Sequence, residues 1–240
     1  MRFATEKIPD SVRIAGMRLR RIIRHIKNRA GRNMTDRQIY VEMDRQLLGN
    51  PKPSEYFNSL GGDVYGIEPF EMLGRLKNTQ QSPEHHPEGS VWNHTMLVLD
   101  EAAARKDGST DVRVFMWAAL LHDLGKPGTT SVRRGRITSY DHDRLGERLA
   151  MEFLRHFGES EAFAGAVGAL VRFHMHILYV VRSMPFAKVS EMRRRTNVRD
   201  VALLGLCDRL GRTGVDRQEE EENIRLFIEK SEGPGRGTAV

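Results

Sequence analysis

The segment from Val112 to Leu121 constrains the fold more than any other part of this chain. Its only charged residue is Arg113, and the other residues are apolar. A helix that is apolar on nearly every side has to be surrounded by other elements, so the segment predicts a central buried helix. Pro127 follows closely and ends the helical pattern. Directly after the apolar run stands the pair His122-Asp123, which is costly to bury without partners.

Helical spacing of apolar residues and helix-capping residues recur through most of the chain. Thr35 predicts the N-terminus of a helix that continues to about Leu48. Other helices are predicted from Ser11 to about Gly31, over 54–60, 70–76, 91–105 and 112–121, from 142 or 143 to 157, from 161 to about 176, and over 190–195, 198–210 and 218–230. Residues 129–139 form the only segment with strand character and are expected to be an exposed hairpin-like loop or coil. The pattern predicts an all-α fold, with an ordered loop over 78–89 and a frayed end from 233 to 240.

Cysteine content and hydropathy narrow the class of protein. Cys207 is the only cysteine, which excludes an intramolecular disulfide and a Cys-rich zinc module, so we expect a reducing, cytoplasmic location and a buried apolar role for Cys207. The first residues, Met-Arg-Phe-Ala-Thr-Glu-Lys, do not predict a signal peptide, and no run approaches the roughly 20 apolar residues of a membrane span. A cytoplasmic protein without a membrane partner is therefore expected, while the sequence leaves its oligomeric state open.

The net charge of +6 is concentrated at the start of the chain. Residues 1–50 hold 12 Lys and Arg against 5 Asp and Glu, whereas the remaining residues hold 26 against 27. A basic block of this kind attracts RNA or an acidic surface through long-range electrostatics. A solvated basic helix face is the simpler explanation, and an oligomerisation surface is a third.

Imidazole and carboxylate side chains suggest a metal site. Adjacent residues within a helix point about 100° apart, but at a helix end His122 and Asp123 can both reach one ion. Such donors suit Mn, Fe, Ni, Zn or Mg, and the lack of thiolates argues against a closed structural zinc site. The candidate ligands are His94, His122, Asp123, His142 and Asp208, with His174 or His176 as a further candidate.

These residues resemble a known family. His94, the pair His122-Asp123 within Leu-His-Asp-Leu-Gly-Lys, and Asp208 resemble the H…HD…D signature of the HD-domain metal-dependent phosphohydrolases. Residues 53–216 are most similar to the C-terminal HD region of bacterial tRNA nucleotidyltransferases, the CCA-adding enzymes. The matching motifs are His86-Pro87-Glu88-Gly89, His94-Thr95-Met96, Tyr140-Asp141-His142-Asp143 through Gly146, Phe173-His174, and Asp208 followed by Gly211-Arg212-Thr213-Gly214.

The resemblance implies a ligand set and a fold, an HD-domain helical bundle with an N-terminal helical extension. The ligands of one divalent ion would be His94, His122, Asp123 and Asp208, with His142 and His174 binding a second ion or the phosphate. Asp123 could also accept a proton, and Lys126 could face the substrate phosphate. Arg212 either approaches the phosphate or braces the helix of Asp208. The cofactor is thus expected to be one or two divalent metal ions.

The implied activity is hydrolysis of a nucleotide or RNA-end phosphate, either a phosphomonoester or a cyclic phosphodiester, by a metal-activated water. The expected substrate is a nucleotide or a phosphorylated small molecule, and RNA is a candidate partner through residues 1–50. The alternative is a metal-binding nucleotide sensor or RNA-docking module without turnover, although the complete ligand set favours the enzyme. We expect no nucleotidyltransferase domain before the HD region, so CCA addition is not predicted.

Four parts are expected along the chain. They are a basic helical N-terminal extension (1–52), a helical platform and loop (53–90), the HD phosphohydrolase domain (91–216), and a C-terminal helix with a frayed tail (217–240). His86 is expected to have a structural role near the cleft, and the role of His176 stays open. Arg133, Arg134 and Arg136 either gather a polyanion or belong to a solvated loop.

Overall fold

Helices make up most of the part of the chain that a computed structural model describes, which is residues 26–27, 33–133 and 135–232. The first helices are α1 (Asp36–Gly49), α2 (Pro53–Ser59), α3 (Gly62–Tyr65), α4 (Glu71–Leu76), α5 (Val91–Ala103), α6 (Val112–Leu121) and α7 (Lys126–Thr129). They are followed by α8 (His142–His156), α9 (Glu161–Phe173), α10 (His176–Val181), α11 (Val189–Arg195), α12 (Val198–Leu210) and α13 (Arg217–Glu232). The predicted all-α class is confirmed.

The described strands form two short antiparallel pairs. One pairs β1 (Ile26–Lys27) with β2 (Asn33–Met34), and the other pairs β3 (Thr130–Arg133) with β4 (Arg136–Ser139). The second pair is the hairpin that was expected over 129–139. None of the described helices has the length and apolar character needed to cross a bilayer.

Helix α6 is the buried helix that its composition predicts. All of its residues from Phe115 to Leu121 are buried, and α1, α5, α9 and α12 pack around it. Its N-terminus is capped by Asp111, whose carboxylate accepts from the backbone N–H groups of Arg113 and Val114. Burial of each large apolar side chain stabilises the fold by about 1.5–3 kcal/mol. Because α6 is central, its C-terminal end lies inside the protein.

Helix α1 packs against this same core. Thr35 caps it and forms a reciprocal capping box with Gln38, as the sequence predicts for the N-terminus. The ring of Tyr40 stacks between Trp117 of α6 and Phe157, with centroid distances of 4.9 and 4.3 Å. The region before α5 is therefore joined to the core by aromatic packing.

A glycine contact brings α6 and α8 together. Gly125 has a φ of −79°, which any residue can adopt, but a Cβ at this position would overlap the carbonyl oxygen of His142 and lie 2.7 Å from the backbone nitrogen of Gly146. The turn after α6 therefore touches the first turn of α8. This contact places Asp123 beside His142.

Three predictions of local structure need correction. The helix predicted from Ser11 to Gly31 falls largely outside the described residues, but Ile26–Lys27 within it form a strand paired with Asn33–Met34. Residues 129–139 are therefore not the only strand segment. Helix α9 ends at Phe173 rather than near His176, and α10 was not predicted. Strand pairing with the nearby Asn33–Met34, and packing of the residues after Phe173, override helical spacing in these places. The tail predicted over 233–240 lies outside the described residues.

We expect Gly125→Ala to lower the free energy of unfolding by about 1–3 kcal/mol, because the added methyl group forces the α6–α7 turn away from α8. Thermal and urea unfolding followed by circular dichroism measure this change. Gly165→Ala in α9 is the matched control, since a Cβ there meets nothing within 4 Å, and it should be neutral or stabilising by up to about 1 kcal/mol. Equal stability of the two variants would contradict the role assigned to the Gly125 contact.

Candidate metal centre

Four imidazole rings surround the buried carboxylate of Asp123, which is 1% exposed. On one side, Oδ2 lies 3.3 Å from His122 Nε2 and 4.0 Å from His94 Nε2. On the other side, Oδ1 lies 3.6 Å from His142 Nε2 and 3.9 Å from His174 Nε2. Each carboxylate oxygen therefore faces a different pair of imidazoles.

The surrounding side chains come from separate elements. His94 lies on α5, His142 begins α8, His174 follows α9, and Asp208 lies near the end of α12. Asp208 Oδ1 is 2.9 Å from His94 Nε2, which joins it to the cluster. The structure thus brings together all six residues that the sequence analysis named as ligands of one or two ions, although their binding of metal stays a prediction. The six are His94, His122, Asp123, His142, His174 and Asp208, and all are buried.

Backbone carbonyls fix the orientation of three of the rings. Nδ1 of His122 lies 2.8 Å from Ala119 O. His142 and His174 make the same kind of contact, at 2.7 Å to Ser139 O and 2.6 Å to Val171 O. A carbonyl oxygen can only accept, so each Nδ1 must donate. A neutral ring then carries its lone pair on Nε2, the atom that points toward Asp123.

The donor set fits a divalent cation. His122 Nε2 is buried and takes part in no hydrogen bond, and the Asp123 Oδ2 atom that it faces is contacted by the Lys126 ammonium. Nε2 of His142 and Nε2 of His174 are only 3.2 Å apart. Burial lowers the pKa of both rings, to about 4 for His174, so two lone pairs face each other unless a cation or a proton lies between them. Groups of three close donors form on both sides of Asp123, with His94 and His122 and with His142 and His174.

Each buried carboxylate also has a cationic neighbour. Lys126 Nζ lies 2.6 Å from Asp123 Oδ2 and donates to Gln81 Oε1 at 2.6 Å. The Arg212 guanidinium lies 3.3 Å from Asp208 Oδ2. Burial alone would raise the pKa of both aspartates, but Lys126 and Arg212 respectively, together with nearby histidines, hold those pKa values well below the usual range. Both aspartates are therefore anionic and available as ligands.

The two phosphate-binding candidates therefore lie beside the cluster. Arg212 contacts Asp208 directly, which agrees with the alternative in which it braces the helix of Asp208. Arg212 also lines a cavity that adjoins the cluster and is described below. Lys126 reaches Asp123 from α7 and lines the same cavity. Contact of either residue with a substrate phosphate stays a prediction.

Glu88 was not singled out by the sequence analysis except within the His86-Pro87-Glu88-Gly89 match. Its Oε1 lies 2.9 Å from His94 Nδ1 and 2.8 Å from His86 Nδ1, and its side chain is buried. Burial opposes ionisation, but the two rings and a backbone hydrogen bond outweigh it and lower the pKa of Glu88 to about 2. Glu88 therefore stays anionic, and its Oε1 faces His94 Nδ1 as an acceptor. The His86-Pro87-Glu88-Gly89 match was the only signal in the sequence that placed Glu88 near the cleft.

His176 lies outside the cluster. Its Nε2 accepts the backbone N–H of Lys188 at 3.3 Å, and its ring packs on Phe173 and Tyr179. Burial and the nearby Arg172 lower the pKa of His176 to about 4, so the ring stays neutral. Cys207 is buried with a pKa raised to about 12 by burial, consistent with its predicted apolar role.

The cluster forms one end of a cavity of about 680 Å³. Asp123, His142, His174 and Asp208 line that end. A small molecule entering the cavity can therefore reach the cluster.

Comparison with known proteins agrees with this geometry. Multifunctional CCA proteins are 26% identical to the chain in Pasteurella multocida, 27% in Methylococcus capsulatus and 30% in Alkalilimnicola ehrlichii. These alignments cover 81%, 99% and 90% of this chain but 47%, 50% and 52% of the relatives. The chain thus spans about half the length of the curated relatives it matches. The HD domain model matches residues 91–213, just over half of the chain, and those residues include the six clustered side chains, so the chain belongs to the HD domain family.

Proposed function

We propose that this protein is a metal-dependent phosphohydrolase that acts on a nucleotide or RNA-end phosphate. The observation that carries the proposal is the position of Asp123, whose two carboxylate oxygens each face two imidazole Nε2 atoms. Three of those rings have their Nδ1 atoms committed to backbone carbonyls. The arrangement therefore presents several nitrogen and oxygen donors toward a common point at the end of an accessible cavity.

The arrangement favours one or two ions with Asp123 as the shared ligand. His94, His122 and Asp208 would complete one site, while His142 and His174 would complete the other or contact the phosphate. Manganese, iron, nickel, zinc and magnesium all accept ligands of these types to differing degrees. When bound, a divalent cation activates a water and withdraws electron density from the phosphoryl oxygens.

Local charge supports an anionic substrate. Lys126 and Arg212 already lie against Asp123 and Asp208, so each carboxylate has a compensating cation. Addition of a divalent ion would leave this end of the cavity with an excess of positive charge, which a phosphate group complements. Lys126 can supply a point charge to a phosphate oxygen, and Asp123 can accept a proton from the attacking water. These are the roles that we assign to the chain's own side chains.

The nucleotide part of the proposal comes from the relatives. They carry the name multifunctional CCA protein, and the motif resemblance is to the HD region of tRNA nucleotidyltransferases. We infer that nucleoside monophosphates and cyclic nucleoside phosphates, free or at an RNA end, are the substrates to test first. The basic residues 1–50 are a candidate contact for RNA. The structure describes only 26–27 and 33–50 of them.

Asp123→Asn should reduce metal-dependent hydrolysis by about 100-fold or more, because the amide keeps the buried volume but loses the charge shared by both donor groups. The assay is release of phosphate or nitrophenol from nucleotides and aryl phosphate esters, with each of the five metals added to chelator-treated protein. His156→Ala is the control, since His156 is an exposed histidine outside the cluster. Hydrolysis that survives a chelator or Asp123→Asn would rule out the proposal, whereas metal and nucleotide binding without hydrolysis would establish the sensor alternative.

Glu88→Ala should weaken metal affinity by about 10–100-fold, because His94 loses the carboxylate that holds its Nδ1 proton. Titration calorimetry with Mn²⁺ measures this affinity independently of turnover. Glu84→Ala is the matched control, since Glu84 is exposed on the same loop, and it should bind metal as the wild type does. Unchanged affinity in Glu88→Ala would show that Glu88 does not position His94.

A further inference from the structure

Away from the candidate metal centre, one wall of the cavity consists mainly of apolar and aromatic side chains. That wall comes from α10 and the segment joining it to α11, and its residues include Ile177, Leu178, Tyr179, Met184, Pro185 and Phe186. Tyr140, which follows β4, lines the same cavity. A volume of about 680 Å³ lies within the range of about 300–1,000 Å³ that accommodates small organic ligands. A phosphate group alone would fill only a small part of it.

Exposed aromatic side chains are concentrated in this cavity. Among the described residues, Tyr140 and Phe186 are the two aromatic members of the exposed large apolar set, at 65% and 58% exposure, and both line the cavity. The Phe186 ring contacts the half-buried ring of Tyr179 with a centroid distance of 5.7 Å. Aromatic surface is usually removed from water, so its exposure at a cavity suggests that a ligand covers it.

The segment that presents Phe186 is held by hydrogen bonds on both sides. Before it, the backbone N–H of Met184 donates to Tyr179 O at 2.7 Å. After it, the backbone N–H of Lys188 donates to the buried ring of His176 at 3.3 Å. The exposure of Phe186 is therefore built into the fold, and His176, which has no part in the metal cluster, anchors the segment.

The cavity also has a cationic residue in its lining. Arg182 lines it, and within the described part of the chain its guanidinium makes no ion pair or side-chain hydrogen bond. A cavity that offers both aromatic rings and a planar guanidinium is suited to a flat ligand with a π-face and hydrogen-bond acceptors on its edge.

We propose that Phe186, Tyr179, Tyr140 and Arg182 form a subsite for the base of a nucleotide whose phosphate lies at the metal centre. The inference rests on the proposed function, and it adds that the enzyme selects nucleotides over phosphate esters that lack a base. Aromatic and guanidinium groups bind bases by stacking without requiring a particular base. A saturated or branched ligand would gain less from such a wall, because it offers no flat face.

The first test compares 3′-adenosine monophosphate with glycerol 2-phosphate, in the presence of Mn²⁺. Phe186→Ala should raise the KM for the nucleotide about tenfold relative to the KM for glycerol 2-phosphate, because one stacking surface is lost. Tyr140→Ala should act in the same direction. Val41→Ala, which removes an exposed apolar side chain from α1 (54% exposed), should leave both KM values unchanged. A change of the same size for both substrates, or for neither, would overturn the base subsite.

A second measurement does not depend on turnover. Phe186→Trp should keep the preference for the nucleotide, and its exposed indole fluorescence should be quenched by 3′-adenosine monophosphate but not by glycerol 2-phosphate. The natural Trp92 and Trp117 are both buried. Quenching without hydrolysis would uphold the subsite while refuting the proposed hydrolase, and equal responses to both ligands would refute the subsite. Repeating the titration with an RNA dinucleotide bearing a 3′-phosphate distinguishes a free nucleotide from an RNA end by their relative affinities.

Discussion

The buried carboxylate of Asp123 is the constraint around which the structure is arranged. A carboxylate removed from water costs several kcal/mol unless charges and hydrogen-bond donors compensate it. Helix α6 has no polar face, so the first polar residues after it are carried into the interior with it. The Lys126 ammonium compensates part of this charge, and the four imidazoles complete a donor set that a divalent cation would bind. Helix α6 therefore stabilises the core and also buries a carboxylate at its end, which requires cations nearby.

The ends of helices also determine the orientation of the imidazole rings. The last carbonyl groups of a helix have no partner within the helix. His122 and His174 each follow the last residue of a helix, α6 and α9, and donate from Nδ1 to the carbonyl three residues earlier. His142 makes the same contact to Ser139 at the start of α8. One local hydrogen bond thus satisfies a carbonyl and directs Nε2 toward the centre.

Local features were the most predictable from the sequence. The limits of α6 and α12 and the Thr35 cap match their predictions, because apolar spacing and capping depend on near neighbours. The convergence of His94 and Asp208 on His122 was available only through the resemblance to HD-domain proteins. Glu88 and Gln81 were missed as partners of His94 and Lys126, since such contacts depend on how distant segments pack.

The two ends of the cavity differ in their burial. The residues proposed to bind metal are buried, whereas the residues proposed to select the ligand are exposed. The metal-centre residues stand at helix ends inside the core, where any change disturbs packing as well as charge. Tyr140 and Phe186 stand on connecting segments at the surface, where substitution costs little stability. In the proposed phosphohydrolase, changes at the outer end would therefore alter which phosphate ester fits while the buried cluster keeps its geometry. The range of substrates of such an enzyme is accordingly expected to depend on the segments after β4 and α10, more than on the histidines that surround Asp123.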